Sequence, residues 1–181
     1  MGYGLDTNKY KPRKWGTTIT WSGEPKGQLA RGLAIWQESV GVSFSKTEGD
    51  QPDFRVAWGG RCSWSNSSKG NGRPDADKKP GTLNLKESSS LGTVLHEIGH
   101  LLGLSHEQDH PDHRVAWYEA NPGFLGTQTE LGGAIIRAAD NAVFGPYDAG
   151  SIMHYPSSHY GLMTAPSVGD VAAVKAINGY A

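Results

Sequence analysis

His96-Glu97-Ile98-Gly99-His100-Leu101-Leu102-Gly103-Leu104-Ser105-His106 is the stretch on which the reading of this chain turns. Residues four positions apart on an α-helix lie one above the other, so the imidazoles of His96 and His100 can converge on one point. A catalytic zinc takes three protein ligands and keeps one position open, and His106 supplies the third only if the helix stops and the chain turns back. Gly103 is placed for that turn, because glycine enters the left-handed conformation that a residue with a Cβ resists. Glu97 follows the first ligand and brings a carboxylate beside the open position, where it can accept a proton from water. A metal in such a site lowers the pKa of its water from about 15.7 to about 7. The expected chemistry is attack of that water on a peptide carbonyl, with Glu97 taking the proton and then delivering it to the leaving amine. The His-Glu-x-x-His part alone also fits an ordinary amphipathic helix. Gly103 and His106 at their offsets, an apolar opposite face and a preceding serine run favour the metal site. Iron, cobalt or manganese would suit three imidazoles and a water as well.

Outward from that stretch, Ser88 to Ser90 offer hydroxyls to cap a helix in which Leu91, Leu95, Ile98 and Leu102 share one face, roughly opposite His96 and His100. Thr82 to Leu85 reads as a strand before it. Further back, Thr17, Ile19 and Trp21 alternate with Thr18 and Thr20 as in a half-buried strand. Leu29, Leu33, Trp36 and Val40 recur at helical spacing up to Gly41. Val42 to Ser45, Phe54 to Trp58 and Arg61 to Ser65 give three more extended runs. Ser65 to Gly81 is rich in Ser, Asn, Gly, Lys and Pro and reads as a surface loop. Beyond His106 the chain is punctuated by Pro and Gly; Leu131 to Ala139 and Val168 to Ile177 are the helical candidates, the second packing through Val171, Val174 and Ile177. Strands then helices in this order predict an α+β fold: one domain over 1–181, with an upper sheet lobe over about 1–103 and an irregular lower lobe over about 104–181.

Composition excludes other classes. Lys and Arg number 17 against 18 Asp and Glu, so nothing in the charge balance calls for nucleic acid or an anionic membrane. The longest apolar runs fall far short of the ~20 residues that cross a bilayer, and Met1 to Asp6 lacks the apolar core of a secretory signal. A single cysteine, Cys62, cannot form an intrachain disulfide. His110 and His113 read as solvated loop histidines. A monomer acting on polypeptide is expected.

The stretch from His96 to His106 resembles the metzincin signature, and Glu107 after it is similar to the astacin family. Tyr147-Asp148-Ala149-Gly150-Ser151-Ile152-Met153-His154-Tyr155 resembles the Met-turn of that family. The resemblance implies a metzincin-like catalytic domain. A twisted, mainly parallel sheet and an active-site helix would lie above the cleft, with an irregular lower lobe and C-terminal helix below. It implies one catalytic Zn2+ held by His96, His100 and His106, with Tyr155 as a displaceable further ligand whose phenol stabilises the tetrahedral oxyanion. Met153 would be an apolar floor beneath the metal. Glu107 would stand where the family receives a new N-terminus after activation. Cys62-Ser63-Trp64-Ser65 is similar to the family's edge strand, so Cys62 and Trp64 would line the substrate cleft and pair with an extended peptide; burial alone would equally explain Trp64. Asp170 resembles the family in position. Family likeness also implies secretion. The disulfides common in the family have no counterpart in a chain with one cysteine. A zinc-containing binding module of the same fold, or a peptidase of another metzincin branch, remain the alternatives. Glu97 argues against the first, since zinc retention needs no carboxylate there, and Glu107 against the second.

Overall fold

The structure, a computed structural model, describes residues 3–5, 15–59, 64–66, 80–113, 120, 141–155 and 157–181. Strand β1 (Tyr3–Leu5) pairs antiparallel with β7 (Asn141–Val143), each too short for its side-chain alternation to announce it. The main sheet has five strands. β3 (Ser43–Lys46), β2 (Thr18–Ser22), β4 (Phe54–Trp58) and β6 (Gly81–Leu85) run parallel in that spatial order, and β5 (Trp64–Asn66) closes one edge antiparallel to β6. The period of two seen in Thr18–Ser22 is realised directly: Ile19 and Trp21 are buried and Thr18 is exposed.

Helix α1 (Leu29–Val40) buries Leu29, Leu33, Trp36 and Val40 and ends at Gly41, as its spacing predicts. It packs on α2 (Leu91–Leu101), and the Trp36 indole donates to the Leu95 carbonyl at 3.0 Å. A short helix α3 (Ser157–Tyr160) lies against α2, and α4 (Val168–Asn178) packs on α1 and β1. The buried apolar side chains form one cluster from Trp15 to Ile177. This is the mainly parallel sheet with an active-site helix and a C-terminal helix that the metzincin likeness implies.

Three details differ from the sequence reading. Ser65 and Asn66 belong to β5, so the loop begins later, and residues 67–79 lie outside the described residues, as do Leu131 to Ala139. Helix α4 packs through Ala173, Val174 and Ile177, with Val171 only half-buried. His110 is buried, not solvated: its Nε2 donates to the Gly145 carbonyl at 2.8 Å, and its Nδ1 accepts from the Asp112 amide at 3.2 Å. Both ring nitrogens thereby find backbone partners, as a buried polar ring requires.

Candidate active site

Helix α2 starts where Ser90 can cap it: the Ser90 hydroxyl accepts from the Thr93 amide at 3.1 Å. Packing encloses the helix far beyond one stripe, since Val94, Leu101, His96 and Glu97 are buried along with Leu91, Leu95 and Ile98. The helix ends at Leu102, and Gly103 takes a φ of +106°, a region closed to most residues with a side chain. The freed carbonyls at this end find partners. The Trp15 indole donates to Leu101 at 2.7 Å, and the Asn178 amide donates to Leu102 at 3.1 Å. The turn also orients a ligand, because the Leu104 carbonyl it swings round accepts from His100 Nδ1 at 2.9 Å.

The chain then returns His106 to the helix, with its Nε2 3.1 Å from His100 Nε2. One ring nitrogen from each of His96, His100 and His106 lies within 4.8 Å of the others. Because His96 and His100 donate through Nδ1 to carbonyls, their Nε2 atoms keep the lone pair that a cation needs. Two nitrogens bound tetrahedrally to zinc at about 2.0–2.1 Å stand roughly 3.3 Å apart, close to the 3.1 Å between His100 and His106. Burial drives the pKa of His96 and His106 well below the ordinary 6.5 and that of His100 down to about 4; for His96 and His106, repulsion from the neighbouring imidazoles adds to it. The rings are therefore neutral at pH 7, the state in which they ligate. The donor set fits one zinc ion.

The floor of the site is the segment Ser151 to Tyr155. Met153 is buried, and its Sδ lies 2.6 Å from where a Cβ on Gly99 would stand, so the absence of a side chain at Gly99 lets the turn approach the helix. Glu107 and Asp170 hold this segment and the residues just before it. Glu107 accepts from the Asp148 amide at 2.8 Å while its own amide donates to the Met153 carbonyl at 3.1 Å. Burial pushes the Glu107 carboxyl up to about 8. Asp170, inside the capping box of α4, accepts from Ser151 Oγ at 2.6 Å and from the Ile152 amide at 2.9 Å. Its carboxyl too is raised by burial, against those hydrogen bonds. The Ile152 carbonyl in turn accepts from His96 Nδ1 at 2.8 Å.

Tyr155 stands edge-on to two of the imidazoles, with ring centroids 4.7 Å from His106 and 5.7 Å from His96. Its amide donates to Gln108 Oε1 at 3.2 Å. Glu97 is buried on α2, directly after His96. Trp64 begins the edge strand β5, opposite Asn84. Cys62 lies outside the described residues. The structure thus brings His96, His100, His106, Met153 and Tyr155 together.

Sequence reading missed Tyr160. Its ring stacks on His96, with centroids 4.1 Å apart and planes 21° apart, and meets Tyr155 edge-on at 5.5 Å. Its only signal is an aromatic residue shortly after Tyr155. The carbonyls of Ile152 and Leu104, which set the two ring tautomers, carry no sequence signal at all.

Comparison with known proteins agrees with this geometry. Zinc metalloproteinase nas-36 of Brugia malayi is 28% identical over 142 residues, covering 75% of this chain and 22% of that protein. Zinc metalloproteinase nas-37 of Caenorhabditis elegans is 34% identical over 125 residues, covering 68% of this chain and 15% of that one. The chain therefore spans about a fifth of the length of the curated relatives it matches. Among solved structures, myroilysin superposes with a TM-score of 0.60 at 22% identity, covering 99% of this chain and 100% of that one. High choriolytic enzyme 1, a hatching-enzyme zinc protease of Oryzias latipes, superposes with a TM-score of 0.63 at 14% identity and 97% coverage of both. The sequence profile of the astacin peptidase family matches residues 9–171, and the chain belongs to that family.

Proposed function

We propose that this chain is a zinc-dependent endopeptidase domain that hydrolyses polypeptide, with Glu97 as its general base and acid. The observation that carries the reading is the convergence of three neutral imidazoles, one of them directly followed in the helix by a buried carboxylate. Zinc held by His96, His100 and His106 would supply Lewis acidity toward a peptide carbonyl and acidify the attacking water. Glu97 takes the proton from that water and returns it to the leaving amine. Tyr155 would serve as a displaceable further ligand of that ion, and its phenol would donate a hydrogen bond to negative charge developing on the substrate carbonyl oxygen; such a donor contributes about 3 kcal/mol. Met153 gives the histidines an apolar floor, and Gly103 and Glu107 hold the chain on either side of the third ligand.

The substrate backbone adds to the open edge of β5, beside Cys62 and Trp64. Support comes from the position of β5 at the sheet edge, where among the described residues one side of its backbone pairs with no strand. The chain works as one domain over 1–181, divided into lobes near 103 and 104, and as a monomer outside the cell. Among the described residues no helix is long and apolar enough to cross a membrane.

Hydrolysis of an unfolded protein such as casein tests the proposal. Activity should vanish with a chelator and return with stoichiometric zinc. Persistent turnover at full chelation, with metal analysis showing no zinc, would overturn the reading.

A further inference from the structure

The reach of Asp170 into the site extends beyond capping a helix. Its carboxylate accepts three hydrogen bonds: Ser151 Oγ at 2.6 Å on Oδ1, and the amides of Ile152 at 2.9 Å and Ser167 at 2.8 Å on Oδ2. Only the last of these belongs to the cap. Ile152 has its amide on Asp170 and its carbonyl, in the next peptide group, on His96 Nδ1 at 2.8 Å. Asp170 and Ile152 are fully buried, and so is Ser151, whose hydroxyl also accepts from the Met153 amide at 3.0 Å. Burial leaves no water to replace a lost partner, so the position of the Ile152 backbone depends on the carboxylate. His100 offers an internal comparison. Its Nδ1 bonds the Leu104 carbonyl, which belongs to the turn after α2 and not to the segment that Asp170 holds.

We infer that Asp170 is a positioning residue for the metal site, fixing the tautomer and ring orientation of His96 through the backbone of Ile152. The inference rests on the metallopeptidase reading for its purpose, but its physical content lies in the protein alone. Groups that orient a ligating histidine typically change metal affinity by about 10–100-fold when removed. Ser167→Ala separates this role from helix capping: it removes the hydroxyl that accepts from the Asp170 amide and donates to Asp148 Oδ2 at 2.7 Å, yet leaves the carboxylate on Ile152.

Two measurements test it. In the metal-free chain, ring N–H exchange followed by NMR should quicken at His96 Nδ1 by about tenfold or more in Asp170→Ala, with His100 Nδ1 near its wild-type rate. In the zinc-loaded chain, transfer of zinc to excess chelator should quicken by about 10–100-fold in Asp170→Ala. Asp170→Asn keeps one oxygen for the two amides and should restore both readouts to within a few-fold of wild type, while Ser167→Ala should lower thermal stability without changing either. Ser151→Ala, which keeps the Asp170 carboxylate, should show a smaller change in the same direction and serves where Asp170→Ala does not fold. Equal acceleration at His96 and His100, or zinc release in Ser167→Ala as fast as in Asp170→Ala, would reduce Asp170 to a purely structural role. Unchanged rates in both Asp170→Ala and Ser151→Ala would overturn the inference outright. A wild-type chain that takes up no zinc would defeat the proposed function, whereas the metal-free exchange measurement would still decide this inference.

Discussion

Helix α2 and the Ser151–Tyr155 segment meet at His96, yet they hold it by opposite means. The helix works by repetition: one turn separates His96 from His100, and the same backbone hydrogen bonds that make the helix fix both rings in space. The Ser151–Tyr155 segment has no such regularity. Two buried residues hold it, Glu107 through its amide on the Met153 carbonyl and Asp170 through its carboxylate, and it presents a carbonyl to His96 and a sulfur to Gly99. Regular structure therefore supplies two of the three ligands, and irregular structure brings the third and decides which nitrogen of His96 faces the metal.

That contrast can be broken most severely on the helix side. Glu97→Gln should keep zinc and lose about 10³-fold or more of proteolysis, since general acid–base groups contribute roughly 10²–10⁴-fold; an active purified variant with full zinc would remove Glu97 from the chemistry. On the opposite side, Tyr155→Phe should keep zinc and lose about 10²-fold in kcat, the typical worth of one oxyanion donor. An unchanged kcat would take Tyr155 out of the mechanism.

The seam between the two regions is Gly99. Gly99→Ala should cost about 1–3 kcal/mol of stability in denaturant titration despite alanine's better helix propensity, because the added methyl meets Met153 Sδ in a filled core. A stabilised variant would show that the Ser151–Tyr155 segment is free to retreat.

Acid gives the mildest probe. Burial holds His100 at about 4, below the ordinary 6.5, and His96 and His106 also below it. In the metal-free chain the unfolded state takes up these protons first, so stability should be intact above pH 6.5 and fall as pH drops from 6.5 toward 4. The slope is at most about 1.4 kcal/mol per pH unit for each histidine. Zinc should likewise be retained to below pH 6.5 and lost as protons compete near pH 4. Release midway through the ordinary histidine range would contradict the burial of these rings.

The same contrast explains what could be read in the sequence. Periodicity announced β2, α1, α2 and α4 because each buries one recurrent set of side chains, such as Leu29, Leu33, Trp36 and Val40. The ligand triad was legible because helix geometry turns spacing into distance, and because Gly103 marks the stop. Nothing comparable marks Tyr160, whose stacking on His96 depends on how α3 lies against α2. His110 misled for the same reason: a polar residue between prolines and aspartates reads as solvated until Gly145 arrives from a distant segment to accept its proton. Strands β1 and β7, three residues each, carry too little pattern to be seen singly.

Asn178 ties the far ends of the chain to the end of the zinc helix, accepting from the Trp15 amide at 3.3 Å across 163 residues while donating to Leu102. Contacts of such sequence separation must await closure of a very large loop, and folds that depend on them form slowly. The Leu102 carbonyl at the start of the turn to His106 therefore has its Asn178 partner only once residue 178 has docked. A metal site built from residues 96 to 106 thus leans on a side chain 76 positions beyond the end of its helix.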